Sequence, residues 1–581
     1  MYVRAVLSAF AQILYIVVAV AALDPNVIFI LTDDQDARLA SLDYMPYVQK
    51  RLVQKGTSFN HHYSTVALCC PSRVSLWTGK AAHNHNVTDV VEPYGGYPKF
   101  IKQGLNSNWL PVWLKAAGYN NYYVGKLFNS HTIANYFLPF PAGFKGTEFL
   151  LDPYQYSYWK PGFQRNLDIP KIYDGEYSTD LVAEKTLGFL ADGVKDGRPF
   201  FLTAAPIAPH VTVNVTIDVL SFSYTLSNGP PMPAERHKGL FADSKVPRTD
   251  NFNPSVSSGA SWVAQLPQLN ETEVERNDEY YRERLRALQA VDEMVELIFQ
   301  KLEQYTITDN TYVFFSSDNG YHIGQHRLQP GKKCGYEEDI NVPLIVRGPG
   351  IPEGETVDTP TSHLDLAPTF LELLGIPLRD DFDGSPIPLP VLQSSSTTAE
   401  EPREHVQVEF WGTDNPNEWN AYANDSGFNN TYKSIRVIGD GYNVYYSVWC
   451  TNEHELYDMD VDPGQLNNLL ASDANSSSII NHPVADVAKR LDALLLVLKS
   501  CQGESCRRPW TTLIPDGSIA TLTEALSTSH DAVFQSFPEV SFSACVGGHV
   551  VAFEGAQFEN PSQRRQLPTT DGSDPDWALM T

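Results

Sequence analysis

The sequence predicts an α/β protein, with a large domain built on a mainly parallel central sheet flanked by helices and a smaller C-terminal domain with an antiparallel sheet. Short β-branched apolar runs without polar alternation, such as NVIFILT from Asn26 and YVFFSS at 312–317, have the pattern of strands buried on both faces. Amphipathic stretches with apolar residues at helical spacing lie between those runs. After a Ser/Thr-rich stretch, QSSSTTAEEP, strand-type runs follow one another without helices between them.

Taken in order, residues 5–22 are almost wholly apolar, follow Arg4 and end in small residues before Asp24-Pro25. This is the pattern of a secretory signal peptide, assigned to residues 1–22, and it predicts a secreted, extracellular or cell-wall protein with no membrane span after cleavage. Six N-x-Ser/Thr sequons, at Asn86, Asn214, Asn270, Asn424, Asn429 and Asn475, agree with that compartment. The next predicted strand, NVIFILT, stops at DDQD. PFFLTAAP runs toward His210, YVFFSS stops at DNG, and VPLIVRGPG follows an acidic patch. LPVWLKAAGY, TDLVAEKTLGFLADG and YRERLRALQAVDEMVELIFQKLEQY read as the helices between them, so strand and helix alternate as in a parallel α/β sheet. In such sheets ligands bind at the carboxyl ends of the strands, where these polar residues stand. HVQVEFW, KSIRVIG and YNVYYSVW make the antiparallel sheet, with a helix over about 483–499 packed on it. The predicted domains are 23–395 and 396–513, followed by an extension, 514–581, whose role stays open.

The 581 residues carry 69 acidic against 42 basic side chains, a net charge of −27, which would repel a nucleic-acid backbone and excludes that class of partner. Asp33, Asp34, Asp318 and Asn319 are hard oxygen donors at two strand ends, suited to Ca²⁺ or Mg²⁺. Turn and helix-cap roles for the same residues stay open at this point. Asp36 reads as a local hydrogen-bonding residue. Seven cysteines include an adjacent pair, Cys69 and Cys70, before a proline and an arginine.

That last stretch, CCPSRVSLWTG, resembles the sulfatase signature Cys-x-Pro-Ser-Arg followed by Thr-Gly, with Cys69 in the first place. NVIFILTDDQD, GKLFN, APIAPH, SSDNGYHIGQHRL, GKKCGYEEDINVPLIVRGPG and HELYDMDVDPGQLNNL resemble further sulfatase segments in the family's order, over about residues 24–500. The likeness is to the fungal arylsulfatases and the glucosamine-6-sulfatase-like branch. It implies an alkaline-phosphatase-like large domain and a sulfuric ester hydrolase. It also implies one calcium ion, with Mg²⁺ the second choice, in a metal site made of Asp33, Asp34, Cys69, Asp318 and Asn319. Cys69 would be oxidised to formylglycine (3-oxoalanine) by formylglycine-generating machinery during secretion, and the aldehyde's hydrate would be the nucleophile. Arg73, Lys126 and Lys332 would surround the sulfuryl group, with Lys333 the alternative to Lys332, and His210 would protonate the leaving oxygen. Lys126, His210, Lys332 and Asn129 would contact the substrate, an aryl or sugar sulfate ester. Many sulfatases place a histidine where this chain has Phe128, and His131 lies out of register, so His322 becomes a candidate base. His61, His62, His83 and His85 are unassigned. With Cys69 converted, six cysteines allow three disulfides: Cys501 and Cys506 are near enough to bridge, and Cys70–Cys334 and Cys450–Cys545 are among the open pairings. Two alternatives remain: a phosphonate monoester or phosphodiester hydrolase with the same nucleophile, and a non-catalytic secreted protein that binds a sulfated glycan.

Overall fold

The computed structural model describes residues 24–218, 223–393, 402–413, 416–418, 429–472, 474 and 478–558, and the side chains of 214–227 are not among those described. The expected signal segment 1–22, the boundary at 395/396, the sequons at Asn424 and Asn475 and the Asn214 side chain lie outside the described residues.

In chain order the strands of the central sheet are β1 (Asn26–Thr32), β2 (Thr57–Phe59), β3 (Asn120–Lys126), β4 (Gly146–Leu150), β5 (Gly162–Arg165), β6 (Lys171–Ile172), β7 (Phe200–Ala205), β8 (Thr311–Ser317), β9 (Leu344–Arg347) and β10 (Glu355–Val357). They lie in the order β10-β2-β9-β8-β1-β7-β3-β4-β5-β6. The five central strands, β8 to β4, are parallel. β9, expected among the parallel strands, runs antiparallel to both β8 and β2. The physical reason is its connection: only a short helix, Glu337–Ile340, lies between β8 and β9, so the chain turns back beside β8 without a crossover helix. β5 and β6 are likewise antiparallel.

β1 is buried along its whole length, and its side chains divide between two cores. Val27, Phe29 and Leu31 pack with Val74, Trp77 and Phe370 on one face. Ile28 and Ile30 pack with Leu288, Val291 and Met294 on the other. The helices that cover these faces include α1 (Cys69–Thr78), α2 (Leu110–Ala116), α3 (Ser178–Asp196), α4 (Glu271–Gln304) and α5 (Leu366–Leu373). α4 begins earlier than its apolar periodicity because Asn270 caps it. The Asn270 side chain accepts from the Glu273 backbone N–H, and the Glu273 carboxylate accepts from that of Asn270.

The second sheet has four antiparallel strands in sequential order, β11 (His405–Phe410), β12 (Tyr432–Gly439), β13 (Tyr442–Trp449) and β14 (His454–Asp458), one more than the three read from the sequence. α6 (Val484–Leu498) buries Val487, Leu491, Leu494 and Leu498 against it, each large side chain worth about 1.5–3 kcal/mol when fully buried. Residues 514–542, without visible periodicity, contribute Ile519, Leu522, Phe534 and Val540 to the same core. The disulfide Cys450–Cys545 ties the end of this stretch to the sheet, and a second disulfide joins Cys501 and Cys506. Cys70 and Cys334 are not bonded: each is a buried free thiol, in separate hydrophobic clusters. The two sheets are joined by buried polar contacts, among them Arg436 Nε donating to Glu337 Oε1 at 2.6 Å.

Candidate active site

Parallel pairing of β1 with β8 matches Thr32 to Ser317, so the residues after both strands emerge side by side despite their distance in sequence. The Asp34 N–H donates to Asp318 Oδ1 at 3.0 Å, and Asn319 Nδ2 donates to Asp34 Oδ1 at 2.7 Å. Asp34 is held at φ +68°, a left-handed conformation that turns its side chain back toward this cluster. Arg284, a charged residue on the buried face of α4, supports the turn by donating to the Asp34 carbonyl at 2.6 Å. Asp36 accepts from the Arg38 and Leu39 backbone N–H groups, a local structural role.

α1 starts at Cys69 beside these carboxylates. Its Sγ lies 3.5 Å from Asp33 Oδ1, 3.9 Å from Asp34 Oδ1 and 3.0 Å from Lys332 Nζ. One turn on, Arg73 donates to Asp318 Oδ2 at 2.7 Å and to the Lys126 carbonyl at 2.5 Å. Lys126, the last residue of β3, donates to both Asp33 oxygens at 2.9 and 2.7 Å. Lys332 donates to Asp34 Oδ1 at 2.5 Å. Lys333, the alternative, is half-buried with φ +81°. His210, after β7, places Nε2 3.7 Å from Asp34 Oδ2, while its Nδ1–H donates to the Val211 carbonyl at 2.8 Å. One ligand atom from each of Asp33, Asp34, Cys69 and His210 lies within 4.8 Å of the others.

Three carboxylates are thus met by three cations in a site whose members are almost wholly buried. Burial and the neighbouring Asp318 push the Asp33 carboxyl up, against the pull of Lys126. Burial would also raise Asp34, but Lys332 and His210 outweigh it and hold that carboxyl below the usual range. For Asp318, Arg73 and Lys126 overcome burial and hold the carboxyl well below the usual range. Burial pushes the Cys69 thiol well up, with Lys126 and Lys332 opposing. Two buried acceptors, Asp34 Oδ2 and Asn319 Oδ1, have no hydrogen-bond donor among the described residues. Hard oxygens left in this state fit a divalent cation of the Ca²⁺ or Mg²⁺ type.

The remaining residues divide. Asn129 Nδ2 donates to the Tyr156 hydroxyl at 2.7 Å. His322 Nδ1 is paired with Asp339 at 2.7 Å, its Nε2 is buried without a hydrogen bond to any described residue, and its backbone is bridged to Gly331 beside Lys332. Phe128 packs between Phe100 and Trp109, and His131 lies against Tyr97 and Phe149, where burial pushes its pKa down to about 3. Asn270 is exposed; Asn86 and Asn429 are half-buried. Tyr156 was not visible in the sequence as a site residue, since it lies in an irregular connection without periodicity. Its ring stacks on His210 at 4.2 Å, and Lys126 Nζ lies 4.7 Å from its centroid. Ser72 and His363 were also missed: the Ser72 hydroxyl lies 2.8 Å from His363 Nδ1 and donates to the Asp318 carbonyl, fixing the start of α1 to the end of β8.

A buried cysteine at a helix start, hard-oxygen donors and a cage of cations on an α/β sheet define a hydrolase centre for an anionic ester. Residues 25–376 match the family described as Sulfatase, and residues 324–492 match N-sulphoglucosamine sulphohydrolase, C-terminal. The chain belongs to the sulfatase family. It is 36% identical over 546 residues to the Arylsulfatase of Volvox carteri, covering 90% of this chain and 82% of that one. It is 45% identical over 387 residues to Sulfatase ppz1 of Metarhizium majus (strain ARSEF 297), covering 66% and 80%. The fold is shared with the structure of BT4656 in complex with its substrate D-Glucosamine-2-N, 6-O-disulfate, with TM-score 0.61, 23% identity and coverage of 77% and 94%.

Proposed function

We propose that this sulfatase is a secreted arylsulfatase in which Cys69 is converted to formylglycine and Asp33, Asp34, Asp318 and Asn319 hold calcium. The observation that carries this reading is the placement of Cys69, first in α1 and within 3.0 Å of Lys332 and 3.5 Å of Asp33. A thiol so buried stays protonated at neutral pH and is a poor nucleophile. An aldehyde there supplies, through its hydrate, one hydroxyl to attack sulfur and expel the alcohol and a second to break the carbon–oxygen bond and free sulfate. Calcium would add positive charge against the sulfate oxygens.

The chain's own side chains account for the rest. Lys126 and Lys332 face the position of Cys69 and offset the negative charge that develops on the transferred sulfuryl group. Arg73 fixes Asp318 and, through the Lys126 carbonyl, the end of β3. Because the Val211 carbonyl takes the Nδ1–H of His210, a proton on Nε2 makes an imidazolium, and that proton goes to the leaving oxygen. Phe128 is committed to an aromatic core. We assign the base for sulfate release to His322, whose Nδ1–H is accepted by Asp339 so that Nε2 is the ring nitrogen left to take a proton.

The test is inorganic sulfate release from 4-nitrophenyl sulfate by protein from a secretory host, beside bis(4-nitrophenyl) phosphate, with and without chelator. Chelator-sensitive sulfate release that outruns diester cleavage supports the proposal. Faster diester cleavage would move the reading to the phosphodiesterase alternative.

A further inference from the structure

Glu418 comes from the connection between β11 and β12, outside the central sheet, yet its carboxylate lies 3.4 Å from Lys332 Nζ. Its placement is built in. Asn417 is bridged to Gly331, Lys332 N–H donates to the Pro416 carbonyl at 3.0 Å, and Glu418 N–H donates to the Pro330 carbonyl at 2.9 Å. A Cβ on Gly331 would stand 2.0 Å from the Pro416 oxygen, so the close approach requires glycine there. On the other side, Asn228 Nδ2 donates to the Glu418 carbonyl at 2.9 Å. One carboxylate oxygen, Oε2, is buried and has no hydrogen-bond donor among the described residues.

Asp33, Asp34, Lys126 and Lys332 are fully buried, and Cys69 is 1% exposed. Around them, side-chain or residue exposure remains at Glu418 (16%), Tyr156 (8%) and His210 (5%). Among the described residues these three keep some exposure beside the buried centre, so the alcohol part of an ester whose sulfate enters it can lie against them. His210 is the proposed proton donor and the Tyr156 ring is taken up by His210 and Lys126, whereas Glu418 offers an unsatisfied acceptor. The other oxygen of the same carboxylate, Oε1, touches Lys332, which itself touches Cys69 Sγ, so the carboxylate stands one side chain away from the reacting position.

Resting on the sulfatase reading, we propose that Glu418 determines substrate choice by accepting a hydrogen bond from a hydroxyl on the carbon adjacent to the sulfate ester. The favoured substrates are sulfates of vicinal diols, whether catechols or sugars. An unpaired buried carboxylate oxygen is then left when the ester lacks that hydroxyl.

The experiment compares, in mildly acidic buffer where the nitrocatechol hydroxyl keeps its proton, kcat/KM for 4-nitrocatechol sulfate, which carries the neighbouring hydroxyl, with that for 4-nitrophenyl sulfate, which lacks it. Wild type, Glu418→Ala and Glu418→Gln are measured. The ratio between substrates cancels any general loss through Lys332. It should fall roughly 10- to 100-fold in Glu418→Ala, the effect expected for a hydrogen bond to a charged group, and recover partly in Glu418→Gln, which keeps one carbonyl acceptor. A ratio unchanged within about 3-fold in both variants overturns the assignment, as does an equal loss on both substrates. Wild-type protein that releases sulfate from neither ester overturns the sulfatase reading, and this inference with it.

Discussion

Replacing Lys126 by Met keeps the length of the side chain and removes a buried ammonium that donates to both oxygens of Asp33. Asp33 is fully buried, and its other cationic neighbour, Arg73, is 3.7 Å away and engaged with Asp318. Removing one partner of a buried pair costs about 3–5 kcal/mol, because an uncompensated charge is left behind. A divalent cation on Asp33 would take over much of that compensation. Thermal unfolding of Lys126→Met should therefore fall by several degrees relative to wild type in chelator, and calcium should close at least half of the gap. Turnover of 4-nitrophenyl sulfate should stay depressed by roughly 10²–10³ in calcium, the loss typical of one electrostatic contact to a transition state. An equal loss of stability with and without calcium would refute the reasoning by separating Asp33 from the cation. Retained turnover would refute the role of Lys126.

Further outcomes follow from the same contacts. Cys69→Ala should abolish turnover while leaving secretion largely intact, and Cys69→Ser should at most trap sulfate on the enzyme, read by a burst without steady-state release. His322→Asn should slow the second step, giving an initial burst of 4-nitrophenol followed by a slow steady rate; a simple proportional drop without a burst would count against His322 as the base. Burial pushes Glu404 up to about 7, with Tyr442 and Trp510 donating to it. A raised carboxyl pKa stabilises the fold below about pH 4.5 and loses that contribution as pH rises toward 7. The Tm difference between Glu404→Gln and wild type should therefore become more favourable to the variant from pH 4.5 to 7.5, by up to the equivalent of about 3 kcal/mol, whereas a difference independent of pH would contradict the assignment. Cys545→Ser opens a loop of sequence separation 95 and should cost about 4–5 kcal/mol; Cys501→Ser opens one of separation 5 and should cost roughly 2 kcal/mol. Denaturant midpoints would show that order.

What could be read from sequence tracks what is local. NVIFILT and PFFLTAA announce buried strands because burial on both faces leaves no polar alternation, and the Asp pairs mark strand ends because polar residues follow directly. Convergence of Asp33 and Asp34 with Asp318 and Asn319 needed the β1–β8 pairing, although the sequence already proposed it. The direction of β9 was not visible, since an apolar run carries no record of its neighbour's direction. Tyr156, Ser72, His363 and Glu418 were missed because each acts through contacts between distant segments. Arg284 left a signal: a charged residue at an apolar helical position, between Tyr281 and Leu285, invites a buried partner. The extension 514–558 escaped because its apolar residues pack through short turns and the Cys450–Cys545 bond rather than through one periodic helix.

The most direct test is mass spectrometry of the peptide spanning residues 67–73 from secreted protein, with sulfate release measured on the same sample. The account predicts an aldehyde or its hydrate at Cys69, unmodified Cys70 and turnover in proportion to the modified fraction. Turnover by protein whose Cys69 is wholly an unmodified thiol would contradict it.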